Sequence, residues 1–274
     1  MPRDEVRHNT GDNRVDVLSR RRTVSAMEWW EAALLVAGGL GAGIVNAVAG
    51  GGSMLTVPLL VLAGVPGNSA NGSNRVGILT GNLAAAAQFR RLGVEGLQHA
   101  SVVLVPALVG SLVGSLGISR LTDDSFETLF GLLMIPLVLL TINKPRVRTD
   151  GASWSRTTTT LVFFGVGIYG GAVQAGVGLV MLAALSRAGF DLITANSIKV
   201  LVNLAVTMVA LPVFIAQGQV EWIPALVLAA GLTAGGWIGA RLGVDKGEEW
   251  IRRVMILAAV ALALKLIGVY DWLF

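Results

Sequence analysis

Three consecutive glycines, Gly50, Gly51 and Gly52, interrupt an apolar run that extends from Trp29 to Ala63. Each glycine in a helix interior costs about 1 kcal/mol relative to alanine, so the triplet disfavours a continuous helix. In a lipid environment a broken helix leaves backbone N–H and C=O groups unpaired, and it survives only where it is buried in protein or lines a polar cavity. The triplet therefore predicts a backbone break and marks a candidate site.

A short apolar segment follows this first break, and Ser53 occupies the place of its helix N-cap. A helix that starts there directs its free N–H groups and the positive end of its dipole into the protein interior. Such an end favours a negatively charged ligand. The sequence therefore predicts an anion site at the start of this segment.

Composition places the chain in the integral membrane class. Of its 274 residues, 54% are hydrophobic and 14% are charged, and the mean hydropathy is +0.70. A soluble domain has about 25% charged residues. The chain has no cysteine and two histidines, His8 and His99, so no disulfide, metal centre or cofactor is predicted. Its arginines flank apolar segments, which indicates contact with anionic lipids rather than with nucleic acid.

We predict an all-α integral membrane protein of two homologous halves, arranged as inverted repeats, with about eight to ten membrane segments. The apolar segments are 28–48, 53–64, 72–90, 97–118, 125–142, 158–173, 177–190, 195–216, 221–241 and 250–272. The domain boundaries that follow are a disordered extension at 1–27, a first repeat at 28–142, a polar cytoplasmic linker at 143–157 and a second repeat at 158–274. Positively charged loops leave open on which side of the membrane the N-terminus lies.

Two of the apolar segments, 53–64 and 177–190, are shorter than the roughly 20 residues that a spanning helix needs. Both follow a glycine break, so we interpret both as half-helices. Placing the second half over the first matches Gly50 with Gly176, Gly52 with Gly178, Asn71 with Asn196 and, after a one-residue gap, Arg75 with Lys199. Interrupted short helices at corresponding positions of two halves are typical of secondary transporters that bind their substrate between the repeats.

The motifs around both breaks form a set: Gly50-Gly51-Gly52-Ser53, Val57-Pro58-Leu59-Leu60, Ala70-Asn71, Gly170-Gly171 and Ala175-Gly176-Val177-Gly178. This set resembles the sulfite exporter TauE/SafE family of membrane permeases, over roughly residues 30 to 272. The resemblance implies a permease of small anions, often sulfite or organosulfonates, that are usually exported. The chain departs from it at Val177, where a third glycine is expected, and at Ala184, which stands opposite Pro58.

Arg75 and Lys199 are cations inside apolar segments, where a charge is costly and tends to face a cavity or a partner. Asn71 and Asn196 lie on the same helix faces as Arg75 and Lys199, respectively. A cation with amide donors near a helix N-terminus is suited to an oxyanion. The alternative is that both cations snorkel to the lipid headgroups.

The candidate substrate-binding residues are thus the two breaks, the two cations and their polar neighbours. They are Gly50, Gly51, Gly52, Ser53, Asn71, Arg75, Gln174, Gly176, Gly178, Asn196 and Lys199. Glycine pairs elsewhere, such as Gly110 with Gly114 and Gly235 with Gly239, are interpreted as close helix packing.

The predicted function is a permease of the cell membrane that transports, and is expected to export, a small oxyanion such as sulfite or an organosulfonate. The alternatives are an intramembrane enzyme acting on a lipid or small substrate, or a permease for another small solute. An intramembrane enzyme needs a nucleophile with a base nearby. Ser53, Ser73 and Ser197 have no histidine or carboxylate near them in sequence, so no catalytic residue is predicted. The expected partners are the small anion and membrane lipids, with no nucleic acid, and a homodimer is left open.

Overall fold

The computed structural model describes residues 27–94, 97–142, 154–190 and 192–246. The regular elements in these ranges are all α-helices, which confirms the all-α class. In chain order they are α1 Trp29–Ala49, α2 Ser53–Leu62, α3 Gly67–Arg91, α4 Leu97–Ile118, α5 Asp123–Ile142, α6 Arg156–Ala172, α7 Val177–Arg187, α8 Leu192–Ala216 and α9 Trp222–Lys246.

These helices follow the predicted apolar segments from 28–48 to 221–241. The last predicted segment, 250–272, lies outside the described residues, as do nearly all of the N-terminal extension and most of the linker. The two short segments are short helices, α2 with 10 residues and α7 with 11 residues. Each begins directly after a backbone break.

The first break occurs where predicted, but the predicted N-cap is wrong. Helix α1 ends at Gly50, whose backbone is left-handed (φ 78°) and whose N–H bonds to the carbonyl oxygens of Val45 and Asn46. Gly52, not Ser53, is the N-cap of α2, and Ser53 is its first helical residue. The Ser53 hydroxyl is unavailable for capping because it bonds to the other half of the chain.

The polarity of the described part is that of a membrane protein. Large apolar side chains are exposed on several helices, among them Val105, Leu132, Leu161, Met208 and Leu226. Many of the buried side chains are instead polar, including several asparagines of α3 and α8. Among the described helices, three are long and apolar enough to cross a membrane, with spans Trp29–Val48, Ile193–Ala216 and Trp222–Val244.

The helix pairs α1/α9 and α4/α6 have the closest packing. A methyl group on Gly110 or Gly114 would overlap backbone atoms of α6, and one on Gly235 or Gly239 would overlap backbone atoms of α1. The interpretation of these pairs as close-packing glycines is therefore confirmed. Small residues permit this approach where lipid provides no hydrophobic drive for helix association.

The two halves share an order of helices: long, short, long, long in α1 to α4 and again in α6 to α9. Their packing agrees with this order, because α1 packs on α9 and the matching α6 packs on α4. The inverted relation between the halves stays a prediction. The arrangement brings both breaks to the centre of the molecule.

Candidate functional site

The two backbone breaks are in direct contact. A Cβ atom placed on Gly50 would lie 2.5 Å from the carbonyl carbon of Gly178, and one placed on Gly178 would overlap the Gly50 backbone. No side chain fits between them, so glycine is required at both positions. Gly52 also needs to be glycine, since a Cβ there would overlap the carbonyl oxygen of Ala42 in α1.

Ser53 links the first break to the second. Its hydroxyl donates to the carbonyl oxygen of Gln174 at 2.9 Å and accepts the N–H of Gly176 at 3.1 Å. Gly176 is the left-handed N-cap of α7, with φ 67°. The N-terminal ends of α2 and α7 therefore meet at this serine, and each carries the partial positive charge of a helix dipole.

Arg75 of α3 is fully buried, with 0% of its surface exposed, and it closes the C-terminal end of α6. Its two terminal nitrogens donate four hydrogen bonds. The acceptors are the carbonyl oxygens of Gly170 at 3.2 Å, Gly171 at 2.5 Å and Ala172 at 3.0 Å, and Oε1 of Gln174 at 3.4 Å. A cation at a helix C-terminus satisfies carbonyls that have no intrahelical donor and stabilises the negative end of the dipole.

Asn71 and Phe214 complete the surroundings of Arg75. The Asn71 amide nitrogen donates to the same Ala172 carbonyl at 2.8 Å, and the Phe214 ring lies 4.4 Å from the guanidinium carbon. The guanidinium is thus stacked on an aromatic face and held by the other half of the chain.

Lys199 of α8 caps the C-terminal end of α1, as Arg75 caps the C-terminal end of α6. It is 1% exposed, and its ammonium donates to the carbonyl oxygens of Asn46 at 2.8 Å and Ala47 at 3.2 Å, in the last turn of α1. Its third bond is to Oδ1 of Asn196 at 2.5 Å. Each cation thus caps the interrupted helix of the opposite half. The snorkelling alternative is wrong for both, because both charges point into the protein.

Gln174 occupies the centre of the second break and has a left-handed backbone, with φ 63°, which is uncommon for a residue other than glycine. It is fully buried. Its amide nitrogen donates to Thr207 Oγ1 at 2.6 Å and to Asn203 Oδ1 at 3.3 Å, both on α8. With its bond from Arg75, this side chain joins α3, α8 and the break into one polar network.

The structure therefore gathers the predicted residues along one interface between the halves. Arg75, Asn71, Gln174 and Ser53 surround the second break, and Lys199 with Asn196 lies at the end of α1. Asn46, Asn74, Thr207 and Phe214 also lie in this region and were not predicted from the sequence. Position was the available signal: Asn46 precedes Gly50 by one turn, and Asn74 adjoins Arg75.

Some buried polar atoms in this region have no partner. The described residues contain eight such side-chain atoms, and four of them lie between Asn71 and Arg75: Asn71 Oδ1, both amide atoms of Asn74 and Arg75 Nε. Each buried unpaired group costs about 1–3 kcal/mol. Half of these atoms are thus concentrated on one turn of α3.

A small cleft continues along the same helix. Its lining includes Asn46 of α1, Ile78, Gly81 and Asn82 of α3, and Leu232 of α9. Asn46 donates to Asn82 across it at 3.4 Å. Ile78 lies one turn beyond Asn74 on α3, but Asn71, Asn74 and Arg75 do not line the cleft.

Comparison with known proteins identifies the family. The family model described as Sulfite exporter TauE/SafE matches residues 35–266. The chain belongs to the sulfite exporter TauE/SafE family. This confirms the resemblance drawn from the break motifs.

Three similar proteins are named as probable membrane transporters. A probable membrane transporter protein of Haemophilus influenzae is 26% identical over 247 residues, which cover 88% of this chain and 96% of the relative. A probable membrane transporter protein ORF9 of Sinorhizobium sp. is 28% identical over 233 residues, covering 83% and 88%, respectively. The probable membrane transporter protein YfcA of Escherichia coli K12 is 27% identical over 237 residues, covering 84% and 86%. No solved structure gives a significant match.

Membership of the TauE/SafE family makes the chain a membrane transporter. A search of the described residues finds no group of three or more histidine, cysteine or acidic side chains that could hold a metal ion.

Proposed function

We propose that this chain is a multi-pass permease of the cell membrane that exports a small oxyanion, such as sulfite or an organosulfonate, through a central site between two inverted repeats. The short helices α2 and α7 are the half-helices of this proposal. Their N-terminal ends supply backbone donors at the site, and Arg75 and Lys199 supply positive potential.

The observation that carries the proposal is the charge balance of the interior. Arg75 and Lys199 are both fully buried, and all the partners described for them are neutral carbonyl or amide groups. Two buried cations without a described carboxylate leave a net positive interior. An anion is the ligand that such an interior stabilises most.

The convergence of helix ends supports the same ligand. Ser53 and Gly176 bring the starts of α2 and α7 within one hydrogen bond of each other. Two positive dipole ends at one place attract a negative charge. The membrane potential then favours export, because an inside-negative potential contributes about 2.3 kcal/mol per charge per 100 mV to outward anion movement.

The test is counterflow of radiolabelled sulfite and of isethionate (2-hydroxyethanesulfonate) by the purified full chain in proteoliposomes. We expect exchange of at least one of the two anions, and net movement towards the positive side when a potassium diffusion potential is imposed. Arg75→Gln should reduce this movement. Arg90→Gln is the matched control, because Arg90 is an exposed arginine in the last turn of the same helix. Absence of counterflow for both anions, in protein of unchanged folding, would contradict the proposal.

A further inference from the structure

The unpartnered atoms on α3 have a mixed hydrogen-bonding character. Asn71 and Asn74 each offer an unpaired carbonyl oxygen, which accepts hydrogen bonds, while Asn74 Nδ2 and Arg75 Nε are unpaired donors. All three side chains are fully buried. Residues three and four apart in a helix lie on one face, so these atoms belong to one surface of α3.

Neighbouring hydrogen bonds determine which atoms of Asn71 and Arg75 are free. The Asn71 amide nitrogen already donates to Ala172, so its oxygen is the free atom and is an acceptor. The terminal nitrogens of Arg75 are used by four acceptors, so its Nε is the one donor left. The surface therefore presents at least one fixed acceptor beside one fixed donor, and Asn74 adds one of each.

We propose that Asn71, Asn74 and Arg75 form a substrate subsite that recognises a small anion carrying its own hydrogen-bond donor, such as a hydroxyl or ammonium group. The proposal rests on the function proposed above. The anionic oxygens take the donors Arg75 Nε and Asn74 Nδ2. The donor of the ligand takes the free oxygens of Asn71 and Asn74.

A fully deprotonated oxyanion without a donor fits this surface poorly. Its oxygens would face the carbonyl oxygens of Asn71 and Asn74, leaving both without a hydrogen and repelling both. Selection therefore rests on the free oxygens of Asn71 and Asn74 together.

The experiment compares two sulfonates of equal size. Isethionate ends in a hydroxyl, and 1-propanesulfonate has a methyl group in the same place. Their affinities are measured by calorimetry on the purified full chain. We expect the unmutated protein to prefer isethionate about tenfold, which corresponds to one buried hydrogen bond. Asn74→Leu and Asn74→Ala should lower this preference, and Asn74→Leu combined with Asn71→Leu, which removes both free oxygens, should bring it to within about twofold.

Gln88→Leu is the matched control. Gln88 is also buried on α3 with an unpaired side-chain oxygen, but it lies near the far end of the helix. Its variant should keep the preference for isethionate. A second readout is the unfolding temperature without ligand. It should not fall in Asn74→Leu, because the leucine replaces polar atoms that have no partner.

The outcomes separate the subsite from the proposed function. Equal affinity of the unmutated protein for both sulfonates, or a preference that survives the combined Asn71→Leu and Asn74→Leu change, would overturn the subsite and leave anion export standing. A lower unfolding temperature in Asn74→Leu than in Gln88→Leu would also count against it, since it would reveal a structural partner for Asn74. Binding of neither sulfonate by the unmutated protein would also overturn the subsite, whereas the proposed function fails only if sulfite counterflow is absent as well.

Discussion

Arg75 and Lys199 occupy matching places in the two halves, yet their surroundings differ in one respect. The Lys199 ammonium has three hydrogens and three acceptors, so it is saturated. The Arg75 guanidinium has five N–H donors, and four of them are used. Lys199 therefore caps α1 with all of its donors in use, whereas Arg75 caps α6 and keeps one unpaired donor, Nε.

The two breaks also differ in their backbone turns and in their polar contacts. The first break turns at Gly50, and its glycines pack against α1 and α7. The second break turns at both Gln174 and Gly176, and the Gln174 side chain extends the polar network to α8. The two halves thus share an order of helices, but the polar contacts are concentrated around the second break. We expect ligand binding to depend more on the second break than on the first.

The largest effect should come from the contact that the two breaks share. Gly178→Leu places a side chain where the Gly50 backbone lies, and backbone atoms cannot move aside as a flexible side chain can. Overpacking of this kind costs about 3 kcal/mol or more. The check is the yield and unfolding temperature of the purified variant in detergent.

Gly165→Leu is the control for this substitution. Gly165 lies in α6, and a Cβ atom there has no neighbour within 4 Å. The control should keep the unfolding temperature of the unmutated protein. If Gly178→Leu behaved like the control, the two breaks would not be in contact, and the comparison drawn above would lose its geometric basis.

A smaller effect should distinguish the two cations. Arg75→Gln removes the guanidinium with the spare donor, and we expect affinity for a transported anion to fall about tenfold, the effect of one charge-assisted hydrogen bond. Lys199→Gln removes a saturated ammonium and should lower affinity by less than about threefold. Thermal-shift titration with the anion that shows counterflow measures both.

Equal losses in the two glutamine variants would show that the cations act through their charge alone. In that case the count of free donors would not matter, and the asymmetry between the halves would have no functional meaning. Unchanged affinity in both variants would leave the backbone amides of α2 and α7 as the anion donors.

The sequence could predict the helices but not the contacts between the cations and the helix ends. Hydrophobic periodicity and the glycine triplet are local signals, so nine segments and the first break were predictable. The carbonyl partners of Arg75 lie about a hundred residues further along the chain, and no local pattern reports such a contact. The prediction of Ser53 as an N-cap was wrong for the same reason. The partners of its hydroxyl, Gln174 and Gly176, are distant in sequence.

The smallest effect should come from that serine. Ser53→Ala removes one hydroxyl that both donates to Gln174 and accepts from Gly176 across the two halves. The net contribution of such hydrogen bonds is about 1 kcal/mol, which lowers the unfolding temperature of a chain of this size by about 2–4 °C. The same change at Ser115 is the control, because the Ser115 hydroxyl bonds only within its own helix, to the carbonyl of Leu112. We expect Ser115→Ala to have the unfolding temperature of the unmutated protein. A shift of equal size in both variants would mean that the bridge between the breaks adds nothing beyond an ordinary buried hydroxyl.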